Sequence, residues 1–278
     1  MKRIITVASV QMGIIPHSIE GNISKIYHLL GQACQTDSID LAVLPEDCFM
    51  GPLPSHLEYA VDESSDTITK ICNIAKDFKI YLVAGSIIMH DKGKYYNVSM
   101  LIDPSGEILT EYKKVHLWHP ERRYLTAGAE VAVAQTPIGT IGLAICWDLA
   151  FPKLFQKMMA AGVDIVCIPS YWTTSDAGSL IKINPNAEAT IIDSLCPARA
   201  IENGCLVVYA NGAGRALIPL KTKTISLDQV GHSQICAPVL GVVAKAADNN
   251  EQVIVYKYDR GIGKKTEDVY RLRKDNTP

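Results

Sequence analysis

The stretch that decides the fold is Thr136–Pro152, TPIGTIGLAICWDLAFP. Gly139–Ile145 is small, β-branched and uncharged, which predicts a buried strand. It stops at Cys146, Trp147 and Asp148, and Pro152 then opens a helix. A thiol at that junction lies at a strand's carboxyl end, where open α/β sheets place their ligands. A lone cysteine is more often a small core hydrophobe. Chemistry at Cys146 therefore depends on what other segments bring to it.

Working outward, a helix over about 152–161 leads to a strand over Val163–Pro169, a polar loop over Ser170–Pro185, a helix over Ala187–Asn203 and a strand over Leu206–Ala210. Three strand-like runs follow, Ser233–Ala237, Gly241–Ala244 and Gln252–Tyr256. Upstream, Arg3–Gln11 reads as a strand; no small-residue cleavage site follows its apolar run, so it is not read as a signal peptide. A helix over Ile19–Cys34 and a strand over Ile39–Leu44 come next. The helix Asp66–Phe78 has Ser65 as its N-cap. One strand is expected over Ile80–Ile88, then the hairpin Tyr95–Ile102 and Ile108–Lys113 around Asp103-Pro-Ser-Gly106. Strand–helix alternation recurs in two comparable halves, each a sheet covered by helices on one face. No linker divides them, so residues 1–278 read as one domain with a tail beyond the core from about 259.

Charge narrows the function. Net charge is −2 with both signs interspersed, which gives neither a nucleic-acid face nor a polybasic membrane patch. No apolar run has the length of a membrane span. Eight cysteines without CxxC pairs indicate neither a disulfide framework nor a zinc site, and point to a reducing, cytoplasmic setting. His116, His119 and Glu121 do not make a metal cluster, because Pro120 breaks the helix that would align them. The Asn22 and Asn97 sequons read as chance matches, and Asn211–Gly214 lacks the Lys-Ser/Thr of a phosphate loop.

Two further segments deliver partners for a thiol. Glu46 ends an apolar strand in AVLPEDCF, where partial burial suits a carboxylate to general base and acid work; Asp47 beside it reads as a solvated turn acid. In EYKKVHLW one of Lys113 and Lys114 points inward, and alternation alone does not say which. An ammonium there stabilises an oxyanion and lowers the pKa of a nearby thiol.

These blocks, LAVLPEDCF, EYKKVHLW and GLAICWDLAFPKL, together with VDIVCIPSYW, ARAIENGCLVVYANGAG and GHSQICAPVLGVV, resemble the nitrilase superfamily of carbon–nitrogen hydrolases in order from Arg3 to about Val255. The resemblance implies a four-layer αββα sandwich and a Glu46–Lys114–Cys146 triad. It also implies an oxyanion site made by Lys114 and the Trp147 N–H, a positioning role for Glu121, no cofactor, and a homodimer or larger homo-oligomer. Tyr171 and Trp172 follow a strand end and are placed to wall the substrate pocket. The arginine found in C-x-D-x-R members that take carboxylate-bearing substrates is Ala150 here. Arg122, Arg123 and Lys153 read as surface charges. The expectation is an amidase acting on a small linear amide, with nitrile or N-carbamoyl amine hydrolysis as alternatives. A non-catalytic binding or assembly protein on this fold is the alternative of another class. A Cys–His protease is not supported, since no histidine block would stand beside Cys146.

Overall fold

A computed structural model describes residues 2–275; residue 1 and residues 276–278 lie outside the described residues. The first half runs β1 (Ile4–Gln11), α1 (Ile19–Thr36), β2 (Leu41–Val43), β3 (Val61–Asp62) and α2 (Asp66–Phe78). It continues through β4 (Tyr81–Val83), β5 (Ile87–Asp91), β6 (Lys94–Ile102) and β7 (Ile108–Lys113). The second half holds β8 (Ala132–Thr136), β9 (Gly139–Leu143), α3 (Pro152–Ala160), β10 (Ile165–Pro169), α4 (Ala187–Asn203) and β11 (Leu206–Ala210). A hairpin follows, β12 (Arg215–Pro219) and β13 (Thr224–Asp228). Then come β14 (Gln234–Ala237), β15 (Gly241–Lys245), β16 (Gln252–Asp259), α5 (Gly261–Tyr270) and α6 (Leu272–Asp275).

Two sheets form the middle layers. One has the order β16-β1-β2-β4-β6-β5-β3, with β7 on β6; the other is β15-β14-β11-β10-β9-β8. In each, three central strands are parallel: β1, β2 and β4, and β9, β10 and β11. Period-2 alternation sorts their side chains. Leu41 and Val43 face the other sheet, where they join Ile141, Ile165 and Val207. Ala42 and Leu44 face outward to Ile26 and Leu30 of α1 and Ile71 and Ile74 of α2. On the far side, α3 and α4 cover the second sheet with Phe155, Met158, Ile192 and Cys196. The sequence is thus read correctly as an αββα sandwich.

Most expected elements are present. Ser65 caps α2 as anticipated, its hydroxyl accepting from Thr67 N–H at 3.2 Å. Both sequon asparagines are fully buried; Asn22 bonds the backbone of Ile15 and Phe49. The last strand runs on to Asp259 because β16 pairs along the whole of β1. After it, α5 returns to the body: Ile262 packs on the core and Thr266 is buried.

Three expectations change. Arg215–Asp228 carries a hairpin that the sequence did not announce, and part of the Ser170–Pro185 loop winds into a 3₁₀ segment, Thr174–Lys182. The single strand expected over Ile80–Ile88 is broken into β4 and β5 at Gly85, whose φ is +52°. A Cβ there would lie 2.0 Å from the Pro45 carbonyl oxygen. The break lets Pro45 pass close behind the sheet and presents the Ser86 hydroxyl to Asp47 N–H at 3.1 Å. Gly85→Ala should therefore cost about 2 kcal/mol or more of folding stability, from strain and overlap together. Urea unfolding against wild type measures it.

Candidate active site

Four strand ends converge on one cavity of about 330 Å³. Glu46 follows β2, Lys114 follows β7, Cys146 follows β9, and Tyr171 and Trp172 follow β10; all line the cavity, as do Glu121 and Trp147. The open choice between the tandem lysines is resolved. Lys113 lies on the outside, paired with Asp91 at 2.8 Å and set over the Tyr96 ring. Lys114 is 1% exposed. Its Nζ donates to Glu46 Oε1 at 2.7 Å and approaches Glu121 Oε2 at 2.8 Å.

Each carboxylate is fixed in turn. Asn97 Nδ2 donates to Glu46 Oε1 at 2.8 Å and to Glu121 Oε1 at 3.3 Å, while Tyr171 N–H donates to Glu46 Oε2 at 2.8 Å. Trp118 N–H holds Glu121 Oε2 at 2.6 Å. Glu121 therefore contacts Lys114, as one of its two expected contacts. Arg122 and Arg123 are exposed and do not line the cavity, and neither does Lys153.

Cys146 stands on a sharp elbow. Its φ is +48°, a left-handed backbone that costs a side-chain-bearing residue roughly 1 kcal/mol or more. Asp148, fully buried, pins the bend. Its Oδ2 accepts from Ile145 N–H at 2.9 Å and from the Tyr112 hydroxyl at 2.8 Å. Its Oδ1 accepts from His116 N–H at 2.9 Å, with His116 Nδ1 at 2.7 Å. His116 also stacks on Phe151 with centroids 3.8 Å apart, so this histidine braces the loop. Trp172 is held by Asn211, which accepts its N–H at 2.8 Å, and its indole N–H donates to Glu188.

Burial sets the protonation states. It raises the Cys146 thiol well above its ordinary pKa, and the Glu46 charge adds to this; Lys114 pulls the other way without prevailing. The expectation that Lys114 would yield a low-pKa thiol is thus corrected, because dehydration and the facing carboxylate outweigh one shared ammonium. Burial likewise raises Glu46 above the usual glutamate range against the pull of Lys114. Burial works against the Lys114 charge, yet Glu121 and Glu46 keep it protonated well above its ordinary range. The arrangement is a neutral thiol facing a carboxylate of raised basicity, with a permanent ammonium alongside.

Asp47 is a second correction. It is 5% exposed, not a solvated turn acid: its left-handed backbone (φ +54°) turns the side chain into the cavity wall. Among the described residues no group of three or more His, Cys, Asp or Glu side chains is arranged to hold a metal ion.

With this geometry in place, comparison is informative. The carbon-nitrogen hydrolase family model matches residues 6–266. The chain belongs to the carbon–nitrogen hydrolase family. This hydrolase is 28% identical over 246 residues to the human omega-amidase NIT2, covering 84% of this chain and 81% of that protein. Its fold matches Saccharomyces cerevisiae Nit3, a member of branch 10 of the nitrilase superfamily, with TM-score 0.84 and 25% identity over 100% of this chain and 98% of that one. A cysteine-to-alanine mutant of the Nesterenkonia AN1 amidase gives TM-score 0.77 at 23% identity, covering 98% and 96% of the two chains.

Several site residues of this hydrolase escape sequence reading. Asn97, which holds Glu46 and Glu121, carries a signal, a lone amide in the strand KYYNVSMLI, but reads only as a sequon. Tyr124, Asp176 and the hairpin residues Ile218, Leu220, Ile225 and Leu227 gave none, since loop conformation brings them in. Replacing Lys114 by Met should strand two buried carboxylates and cost about 3 kcal/mol at a pH near ~7.5. The stranded Glu46 carboxyl would stay raised above its ordinary value in the folded variant, so the deficit should shrink as pH falls toward about 4.5; urea unfolding at several pH values tests the slope.

Proposed function

We propose that this carbon–nitrogen hydrolase is an amidase that converts small linear amides to the carboxylic acid and ammonia through a thioester on Cys146. The observation that carries the reading is Lys114 held at 2.7 and 2.8 Å between Glu46 and Glu121, in the cavity that Cys146 also lines. The omega-amidase and amidase names of similar proteins support it.

In this mechanism Glu46 takes the Cys146 proton as sulfur attacks the amide carbon. That transfer is necessary because the resting thiol is neutral. Negative charge gathers on the former carbonyl oxygen, received by the Lys114 ammonium and the Trp147 N–H. Glu46 then returns the proton to the departing nitrogen, the C–N bond breaks, and ammonia leaves a thioester. Glu46 next deprotonates a water that attacks the thioester, and the collapse restores thiol and acid. Glu121 keeps Lys114 aimed, and Glu121 is itself held by the Trp118 N–H on Oε2 and by Asn97 on Oε1. The eight free cysteines support a reducing, cytoplasmic setting. A homodimer or larger homo-oligomer completes the reading.

Ammonia release from a panel of aliphatic amides, nitriles and N-carbamoyl amines tests the assignment. Amides should yield ammonia without carbon dioxide, and Cys146→Ser should lower kcat/KM by about 10³-fold or more. Turnover of nitriles or N-carbamoyl amines alone would move the assignment to those substrates. Because Glu46 must be ionised to act and its folded pKa is raised, activity should fall as pH drops through a midpoint above the ordinary value of 4.5. A pH profile of kcat/KM with its acid limb at or below that value would contradict the general-base role of Glu46.

A further inference from the structure

Acidic side chains outnumber basic ones in the cavity lining. Among the described residues that line it, Glu46, Asp47, Glu121 and Asp176 are four acids, and Lys114 is the one cation, already shared between Glu46 and Glu121. Asp176 spends Oδ2 on its own loop, accepting from Thr173 N–H at 2.8 Å. Asp47 is different: only 5% of it is exposed, and its Oδ1 has no hydrogen-bond partner. A buried acceptor left unpaired costs about 1–3 kcal/mol.

Local structure does not account for a carboxyl there. The turn requires a residue tolerant of φ +54°, and it uses the Asp47 backbone: N–H to Ser86 Oγ, carbonyl to Met50 and Gly51 N–H. Asparagine or glycine would meet that demand without placing another acid beside Glu46 and Glu121. The remaining walls are apolar or aromatic, with Trp147 and Trp172 on one side and Ile218 and Leu227 from the hairpin on another. Among the described residues, no arginine and no second lysine line the cavity to pair with a substrate carboxylate, and Ala150 supplies no arginine.

We propose that Asp47 is a specificity-determining residue, and that this site takes an amide with a short apolar body and a protonated amine which the Asp47 carboxyl receives. The inference rests on the amidase reading for its substrate and deepens it by naming the substrate's charge. The amine supplies a donor to the Asp47 carboxyl, and its positive charge draws down a pKa that burial, Glu46 and Glu121 hold well above the ordinary aspartate value, so that the acid ionises as the amine docks. Carboxylate-bearing amides of equal length are excluded by the same field.

The test compares 5-aminopentanamide, pentanamide and 4-carbamoylbutanoate as substrates of wild type and Asp47→Asn. Wild type should prefer the amine over the neutral amide, and the neutral amide over the carboxylate, each by at least ~10-fold in kcat/KM, the effect of one desolvated charge pair. Asp47→Asn should bring the amine-to-neutral ratio near one, mainly by raising KM for the amine. Preference for the neutral or carboxylate substrate, or an unchanged ratio in a folded variant, would overturn the proposal while leaving the amidase reading intact. A second measurement needs neither turnover nor a variant. Cationic and anionic ethyl methanethiosulfonates, in which the thiol sulfur displaces methanesulfinate, are compared at Cys146 against the partly exposed Cys34 and Cys72 by peptide mass spectrometry. Cys146 should favour the cationic reagent at least ~10-fold more than those two thiols do. Equal or anionic preference would sink the charge assignment even if no amide is hydrolysed, an outcome that would count against the amidase reading alone.

Discussion

An ammonium without water is unstable unless it is surrounded by acceptors, and Lys114 has almost no contact with solvent. Its two carboxylate partners come from segments far apart in the chain, so the loop after β2 and the loop after β7 must close on the same point before the charge is tolerable. Removing an ion from water costs several kcal/mol even after relaxation, and the geometry has to return that through short bonds. Asn97, Trp118 and Tyr171 supply the remaining donors to the two acids. A chain with Lys114 in place and either acid displaced would carry a buried charge with half its compensation gone.

The sandwich makes that convergence possible. Two sheets with parallel centres meet face to face, and the chain leaves β2, β9 and β10 at neighbouring edges. Cross-sheet bonds hold them in register: Ser9 Oγ donates to the Tyr209 carbonyl at 2.7 Å, and Glu46 N–H to the Ser170 carbonyl at 3.2 Å. The second of these places the Glu46 backbone directly against the loop carrying Tyr171. A Glu46 carboxyl set by hydrogen bonds from both sheets has little freedom to drift relative to the thiol, as the proposed proton transfer requires.

How far this was legible in the chain follows from range of interaction. Periodicity and capping are local, so α1, α2, α4 and the central strands could be read from Ile23, Ser65 and their neighbours. The strand-end positions of Glu46 and Cys146 are also readable, because an apolar run that stops at a reactive side chain is a local pattern; the choice of Lys114 over Lys113 rests on the family resemblance. What failed was non-local. Gly85 breaks a strand because of the distant Pro45 carbonyl. Asp47 looked solvated beside Glu46, yet a left-handed turn buries it. Lys114 was expected to acidify Cys146, but a balance among dehydration, Glu46 and Lys114 has a sign that only the assembled cavity determines. The hairpin over Arg215–Asp228 has alternation too short and too polar to stand out.

That hairpin forms a sheet of its own, paired with neither half of the sandwich. One side of it, Ala216 and Ile218, is buried, while Arg215 and Leu217 face out. It supplies part of the cavity wall but none of the residues that hold Lys114, Glu46 or the Cys146 elbow. Substitutions in it can reshape the cavity wall without touching the Lys114 ion pair. The architecture separates the part of the chain free to drift from the part that is not, and a change of diet for this enzyme can begin with a few hairpin side chains.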